Sequence, residues 1–216
     1  RSSDVTHLGT TVQGAGSVVL AAGNDINLTA AQVGAGKIMA LQAGRDINSA
    51  AAVDSSSNDR STVTKSNSLA TSNYDETIRG TQLGAGGDIV IQAGRDLTLA
   101  STAAASQTGG IALAAGNDIK LLATQEQHDV VGDKETRKKE ALSSKTVTTH
   151  DEAHDSLAIT SSLSGEQISI AAGNDLLSQG TQIVGTGDVV LAAGNNLTLE
   201  TAQSTHSEAH DKKTVK

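Results

Sequence analysis

No cysteine occurs in the 216 residues, so neither disulfides nor thiolate metal sites are available. That fits a cytosolic chain, and equally a secreted bacterial one that must stay threadable. Proline is missing too, as expected where strands need every backbone N–H as a donor. There is no phenylalanine or tryptophan, and the single tyrosine is Tyr74. Any core must therefore be thin and aliphatic. No apolar run approaches the ~18 residues of a membrane-spanning helix, and no signal-peptide pattern is visible. The net charge of −8 argues against nonspecific nucleic-acid binding.

What is present is one phrase written six times: aliphatic–x–aliphatic–x–Ala–Gly, in most copies followed by Asn or Arg, Asp and another aliphatic pair. The copies centre on Gly23, Gly44, Gly94, Gly116, Gly173 and Gly194. Their spacings are 21, 50, 22, 57 and 21 residues, so the long intervals are a 21-residue unit plus an insertion. A recurring unit of this length is the mark of a stacked solenoid. Five residues before the Gly stand Val18, Met39, Ile89, Ile111, Ile168 and Val189. Three before it stand Leu20, Leu41, Ile91, Leu113, Ile170 and Leu191. Three after it come Ile26, Ile47, Leu97, Ile119, Leu176 and Leu197; five after it come Leu28, Leu99, Leu121 and Leu199, with Ser49 and Ser178 as exceptions. Period two on both sides of a Gly corner is the strand rule.

The corner glycine is expected to supply a positive φ, with Asn and Asp bonding nearby backbone. A two-residue hairpin competes with this reading. A third apolar column eleven residues before the Gly (Val12, Val33, Leu83, Ile183) argues against it. Three short faces per turn describe a parallel β-helix, with like residues stacked on like. Such ladders also account for the missing rings, since a large side chain would have to fit every neighbouring layer. The expected fold is thus all-β, a solenoid of about six 21-residue coils forming one elongated domain over residues 1–216.

Long polar insertions follow every second coil, at about residues 50–79 and 124–163, and the start of a third is expected at 200–216. The pattern begins and ends without caps, which predicts a segment of a longer array. The insertions read either as disordered loops or as extended hairpins along one side of the rod. Thr62-Val63-Thr64 and Thr146-Val147-Thr148 favour hairpins, while Glu135 to Leu142 could form a turn or two of helix.

Candidate chemistry is sparse. His150 and His154 with Glu152 recur as His206 and His210 with Glu208. Histidines four apart share a helix face and could hold zinc, but in H-x-E-x-H the carboxylate falls on the wrong side of that helix. Asp25, Asp46, Asp96, Asp118 and Asp175 form a column that could take calcium, although the G-G-x-G-x-D tandem of calcium-binding repeats is absent. Corner capping is the better account. The basic stretch from Lys134 to Lys139 is interrupted by Glu135 and reads as a solvated face. Arg79-Gly80-Thr81 departs from the cell-binding tripeptide. No phosphate loop or triad is visible, so no catalytic, cofactor-binding or metal residue is assigned and enzyme activity is not expected.

The phrases Leu20-Ala-Ala-Gly-Asn-Asp-Ile-Asn-Leu28, Ile91-Gln-Ala-Gly-Arg-Asp-Leu-Thr-Leu99 and Leu191-Ala-Ala-Gly-Asn-Asn-Leu-Thr-Leu199 resemble the haemagglutinin repeats of large two-partner-secreted exoproteins. Alternation with polar insertions such as Thr205-His206-Ser207-Glu208 is similar to the second repeat region of filamentous haemagglutinins and contact-dependent growth inhibition effectors. The resemblance implies a right-handed β-helix, exported through an outer-membrane transporter to the surface of a Gram-negative cell. It implies a filament used for adhesion, or for presenting a C-terminal toxin to a neighbouring cell and helping it across that cell's outer membrane. The implied partners are that transporter and the target-cell surface. End-to-end self-association is expected of exposed sheet edges. Two other classes remain: a receptor- or glycan-binding module acting through the hairpins, and a polysaccharide-active β-helix enzyme.

Overall fold

The computed structural model describes all of residues 1–216 and contains strands and turns but no helix. Three sheets are parallel and six-stranded. The first face stacks Thr11–Gly14, Gln32–Ala35, Gln82–Ala85, Ala103–Ser106, Ser162–Gly165 and Gln182–Gly185. The second stacks Val18–Ala22, Met39–Ala43, Ile89–Ala93, Ile111–Ala115, Ile168–Ala172 and Val189–Ala193. The third stacks Ile26–Thr29, Ile47–Ala50, Leu97–Ala100, Ile119–Leu122, Leu176–Gln179 and Leu197–Glu200. The chain visits the faces in this order and returns to the first, an arrangement consistent with the expected β-helix.

Pairing is in register, so like does lie over like. Ile89 sits between Met39 and Ile111, and Leu97 between Ile47 and Ile119. Alternation turns one residue in two inward, and the inward set makes a single core of 26 buried residues. The third column holds Val33, Leu83, Ala104 and Leu163. Ala104 and Leu163 stand off the eleven-residue spacing because the corner to the second face varies. It runs Gln107 to Gly110 in one circuit and only Glu166-Gln167 in the next. Leu163 therefore belongs to the stack, not to the insertion expected to extend to 163. Ser49 and Ser178 face inward with their column, and Ser49 Oγ lies 2.6 Å from Thr102 Oγ1. Residues at either end of the stack are more exposed: Leu197 and Leu199 are 48% and 62% accessible, against 0% and 1% for Leu97 and Leu99.

The repeated corner glycine has a different cause from the expected positive φ. Positive φ occurs only at Ala30, Ser101 and Gly180. At Gly44, Gly94, Gly116, Gly173 and Gly194 an added Cβ would collide with the carbonyl oxygen of the corner glycine one circuit earlier. Stacked backbone leaves no room for a side chain there.

The insertions are hairpins, and they pair with one another. Ala52–Val63 with Asn67–Arg79 and Thr124–Lys139 with Ser144–Ile159 form two antiparallel hairpins. Asn67–Arg79 then pairs Thr124–Lys139, Ser144–Ile159 pairs Thr205–Val215, and Ser2–Val5 pairs Ala52–Val63. The result is a fourth six-stranded sheet, wholly antiparallel, which we term the fin. Glu135 to Lys139 lies in a strand, and residues 140–143 are the turn, so the helical reading of Glu135 to Leu142 is replaced. At ~3.3 Å per residue the second hairpin reaches roughly 50 Å.

Fin and rod meet at the corner between third and first faces. Circuits without a hairpin close there through Ala30, Ser101 or Gly180, the three residues with positive φ. A buried small-residue column lines the junction: Ala31, Thr81, Thr102 and Ser161. Ser161 Oγ donates toward the carbonyls of Leu99 and Leu122, and Thr102 N–H donates to Ser161 Oγ. Root contacts complete the seam: Ser101 Oγ donates to the Ile159 carbonyl, and Thr124 N–H donates to Ser101 Oγ.

Candidate functional site

Polar chemistry concentrates in two places, the corner ladder of the rod and the fin. Along the corner, each Asp carboxylate accepts from the next circuit. Asp25 receives Arg45 and the Asp46 N–H; Asp46 receives Arg95 and the Asp96 N–H. Asp96 receives Asn117 Nδ2 at 2.7 Å, Asp118 receives Asn174 Nδ2 at 3.0 Å, and Asp175 receives Asn195 Nδ2 at 3.1 Å. The Arg45 and Arg95 guanidinium groups hold Asp25 and Asp46 below the ordinary carboxylate range. These oxygens are already used as stacking acceptors, which is the corner-capping role read from the sequence.

The histidines all belong to the fin or its margin. His150, Glu152 and His154 lie on the strand Ser144–Ile159, and His206, Glu208 and His210 on Thr205–Val215. A strand puts residues two and four apart on one side, so H-x-E-x-H brings its carboxylate between its imidazoles. The helix frame had placed that carboxylate on the opposite side. Glu152 Oε2 is 3.3 Å from His150 Nε2 and 3.8 Å from His154 Nε2. Each ring, however, gives its Nδ1 to an aspartate on the neighbouring strand: His150 to Asp133 at 2.6 Å, His154 to Asp129 at 2.8 Å and His210 to Asp151 at 2.9 Å. His206 is likewise bonded to Asp155, and His128 Nδ1 lies 3.1 Å from Asp75. These aspartates raise the affinity of all five imidazoles for a proton. No three His, Asp or Glu side chains converge as a metal centre requires. At the margin, His7 N–H and the Arg79 guanidinium both bond Asp54, and the backbone donor is the larger cause of its lowered proton affinity.

Sequence reasoning missed these cross-strand partners. The signal was present: Thr149 to Asp155 and Thr205 to Asp211 alternate acid and histidine with period two, which is strand spacing.

The rod's outer faces offer little chemistry. The strands of its first two faces carry no charged residue. A shallow groove of about 610 Å³ runs along the first face, past Gln13, Gly34, Gly84 and Ala105. Another of about 530 Å³ follows the corner past Gly23, Gly44 and Gly94.

Comparison with known proteins agrees with the repeat architecture. The chain matches the hemagglutinin repeat family over residues 1–65 and 61–215. It is 39% identical over 96% of its length to the tRNA nuclease CdiA of Escherichia coli strain STEC_O31, covering 6% of that protein. It is 36% identical over 52% of its length to the tRNA nuclease CdiA of Yersinia mollaretii, covering 4% of it. A 16S rRNA endonuclease CdiA of Enterobacter cloacae subsp. cloacae is 36% identical over 49% of the chain and 3% of that protein. The 216 residues thus span a small fraction of each relative. No solved structure matches the chain. With six in-register repeats and two matched stretches covering nearly every residue, the chain belongs to the hemagglutinin repeat family.

Proposed function

We propose that this chain is a non-enzymatic structural and delivery segment of a large secreted surface filament, built as a right-handed β-helix of six coils. Alignment over 96% of the chain to one short stretch of a much longer exoprotein carries this reading. The repeats supply length and stiffness, while the nuclease activity named for the relatives resides elsewhere in such proteins, in a toxin region at the C-terminus. The partners in this reading are an outer-membrane two-partner secretion transporter during export and the surface of a neighbouring cell afterwards. The site of action is the exterior of the outer membrane. No role with nucleic acid is assigned to the segment itself.

Uniform repetition supports the structural role. The circuits repeat one corner device, a carboxylate met by Arg in two steps and by Asn in three, and the grooves are lined by glycine, alanine and glutamine. The reading is tested in the parent exoprotein by deleting one hairpin (residues 52–79) and, separately, one pair of circuits. Both variants should be exported and should attach to target cells, whereas toxin transfer should fall. Loss of attachment on hairpin deletion, with the rod intact by circular dichroism, would replace this proposal with a binding module. Turnover of an acidic polysaccharide that disappears on mutating one acid would replace it with an enzyme.

A further inference from the structure

The fin lacks the buried face that ordinarily fixes a sheet's register beyond its hairpin turns. Neither long hairpin strand of the 124–159 region contains a buried residue, so both sides meet solvent. In a two-sided polar sheet the hydrophobic pattern cannot choose between pairings that differ by a slip. What differs from row to row is charge. Each of the chain's six histidines lies beside an aspartate contributed by another strand. Five of these pairs join Thr124–Lys139 to Asn67–Arg79, Ser144–Ile159 to Thr124–Lys139 and Thr205–Val215 to Ser144–Ile159, while His7, beyond the first strand, reaches Asp54 at the margin.

Three of these rings make a stronger demand. His128 faces Asp75 at 3.1 Å and Glu126 at 3.0 Å. His150 faces Asp133 at 2.6 Å and Glu152 at 3.3 Å. His210 faces Asp151 at 2.9 Å and Glu208 at 2.7 Å. In each case both ring nitrogens point at carboxylate oxygens. A neutral imidazole has one N–H, and only the imidazolium has two. The geometry is therefore that of the protonated ring.

The remaining surroundings are also mostly acidic. Across the strands, His128 also stands in register with Asp155, and His150 with Asp211. His154 is flanked by Asp129 and Ser207 across the sheet and by Glu152 on its own strand. His206 faces Asp155 and Glu208. His210 has one cation nearby, Lys212, two residues along its strand. His7 shares Asp54 with Arg79.

We propose that the fin is a pH-sensitive element: imidazolium–carboxylate pairs between neighbouring strands hold its register in mild acid, and their neutralisation loosens it while the rod stays folded. The sign follows from linkage. Pairing raises the folded-state proton affinity of five imidazoles. Their contribution is complete below the unfolded value of about 6.5 and disappears as pH rises through the higher folded values. A single exposed pair contributes little. Here five act together on a sheet with no core to oppose them, whereas the three faces of the rod contain no histidine.

The test is amide hydrogen exchange on the whole chain at pH 5.5, 7 and 8.5, corrected for intrinsic rates. Nuclear magnetic resonance titration of the imidazole carbons runs alongside. Protection in Thr124–Lys139 and Ser144–Ile159 should fall on the order of tenfold relative to the rod strands across that range. The drop should shrink in 1 M salt, where the screening length is ~3 Å. The triple variant H128Q/H150Q/H210Q should lose most of the pH dependence. Fin protection that tracks the rod at every pH would overturn the proposal, as would full pH dependence in the triple variant. If the variant's fin is open throughout, the wild-type titration decides: imidazoles titrating at ordinary values overturn the proposal, and raised ones sustain it.

Discussion

Rod and fin are sheets of six strands made by the same chain, and they are held by different physics. In the rod, one residue in two is buried in an aliphatic ladder, and parallel strands stack without a charge on two of three faces. In the fin, strands of up to 16 residues are antiparallel, two-sided and charged, with acid–histidine pairs where the rod has isoleucine and leucine. The rod shows that repetition alone makes a core when side chains are small and the register is exact to the residue. The fin shows that long strands without a core need specific partners across the sheet.

Matched substitutions should separate the two. The largest effect is expected from Leu113→Ala, which empties a fully buried ladder position and should cost about 2–5 kcal/mol in chemical denaturation. Leu157→Ala, at a fin position 46% exposed, should leave the rod transition within ~0.5 kcal/mol. Gly94→Ala should follow, costing about 1–3 kcal/mol because its Cβ would meet the Gly44 carbonyl. Gly132→Ala in the fin, where the nearest atom is 3.9 Å from the added Cβ, should be nearly silent. Thr102→Val should cost about 1–3 kcal/mol, since it leaves buried Ser49 Oγ without its 2.6 Å partner. Equal losses in rod and fin for any of these pairs would break the comparison.

The smallest effect is one of pH. Asp46 is held below its ordinary value by Arg95 in the folded rod. Its contribution is present above the unfolded value of about 3.9 and lost as pH falls through the lowered folded one. Asp46→Asn should therefore flatten the fall in rod melting temperature in strong acid. The fin should weaken at the opposite, alkaline end, so melting curves of rod and fin probes should diverge in both directions.

Much of this was legible in the residues. The columns three and five residues from each glycine all point inward, because period two and a 21-residue repeat leave no alternative for so many aliphatic side chains. Ala104 and Leu163 escaped because corner length varies by a residue on either side of three, which shifts one column against the glycine count. The corner glycine is legible but its cause is not: a local turn preference is visible in a sequence, while crowding by a carbonyl one circuit away is not. Histidines four apart suit a helix face, whose period differs from that of the strands these residues occupy. Pairing between one hairpin and the next depends on contacts about fifty positions apart or more, such as His206 with Asp155, 51 residues away. No local pattern carries those.

The hairpins leave every second circuit, and arithmetic explains the interval. Strands in any sheet lie ~4.8 Å apart, so two circuits climb ~9.6 Å, and a hairpin, being two strands, occupies the same ~9.6 Å. Rod and fin are commensurate lattices sharing one axis, which is why each holds six strands. Lengthening such an array by two circuits and one hairpin preserves both lattices. Duplicating a single circuit would leave the rod sound but open a one-strand gap in the fin, so the heritable unit of growth is the pair.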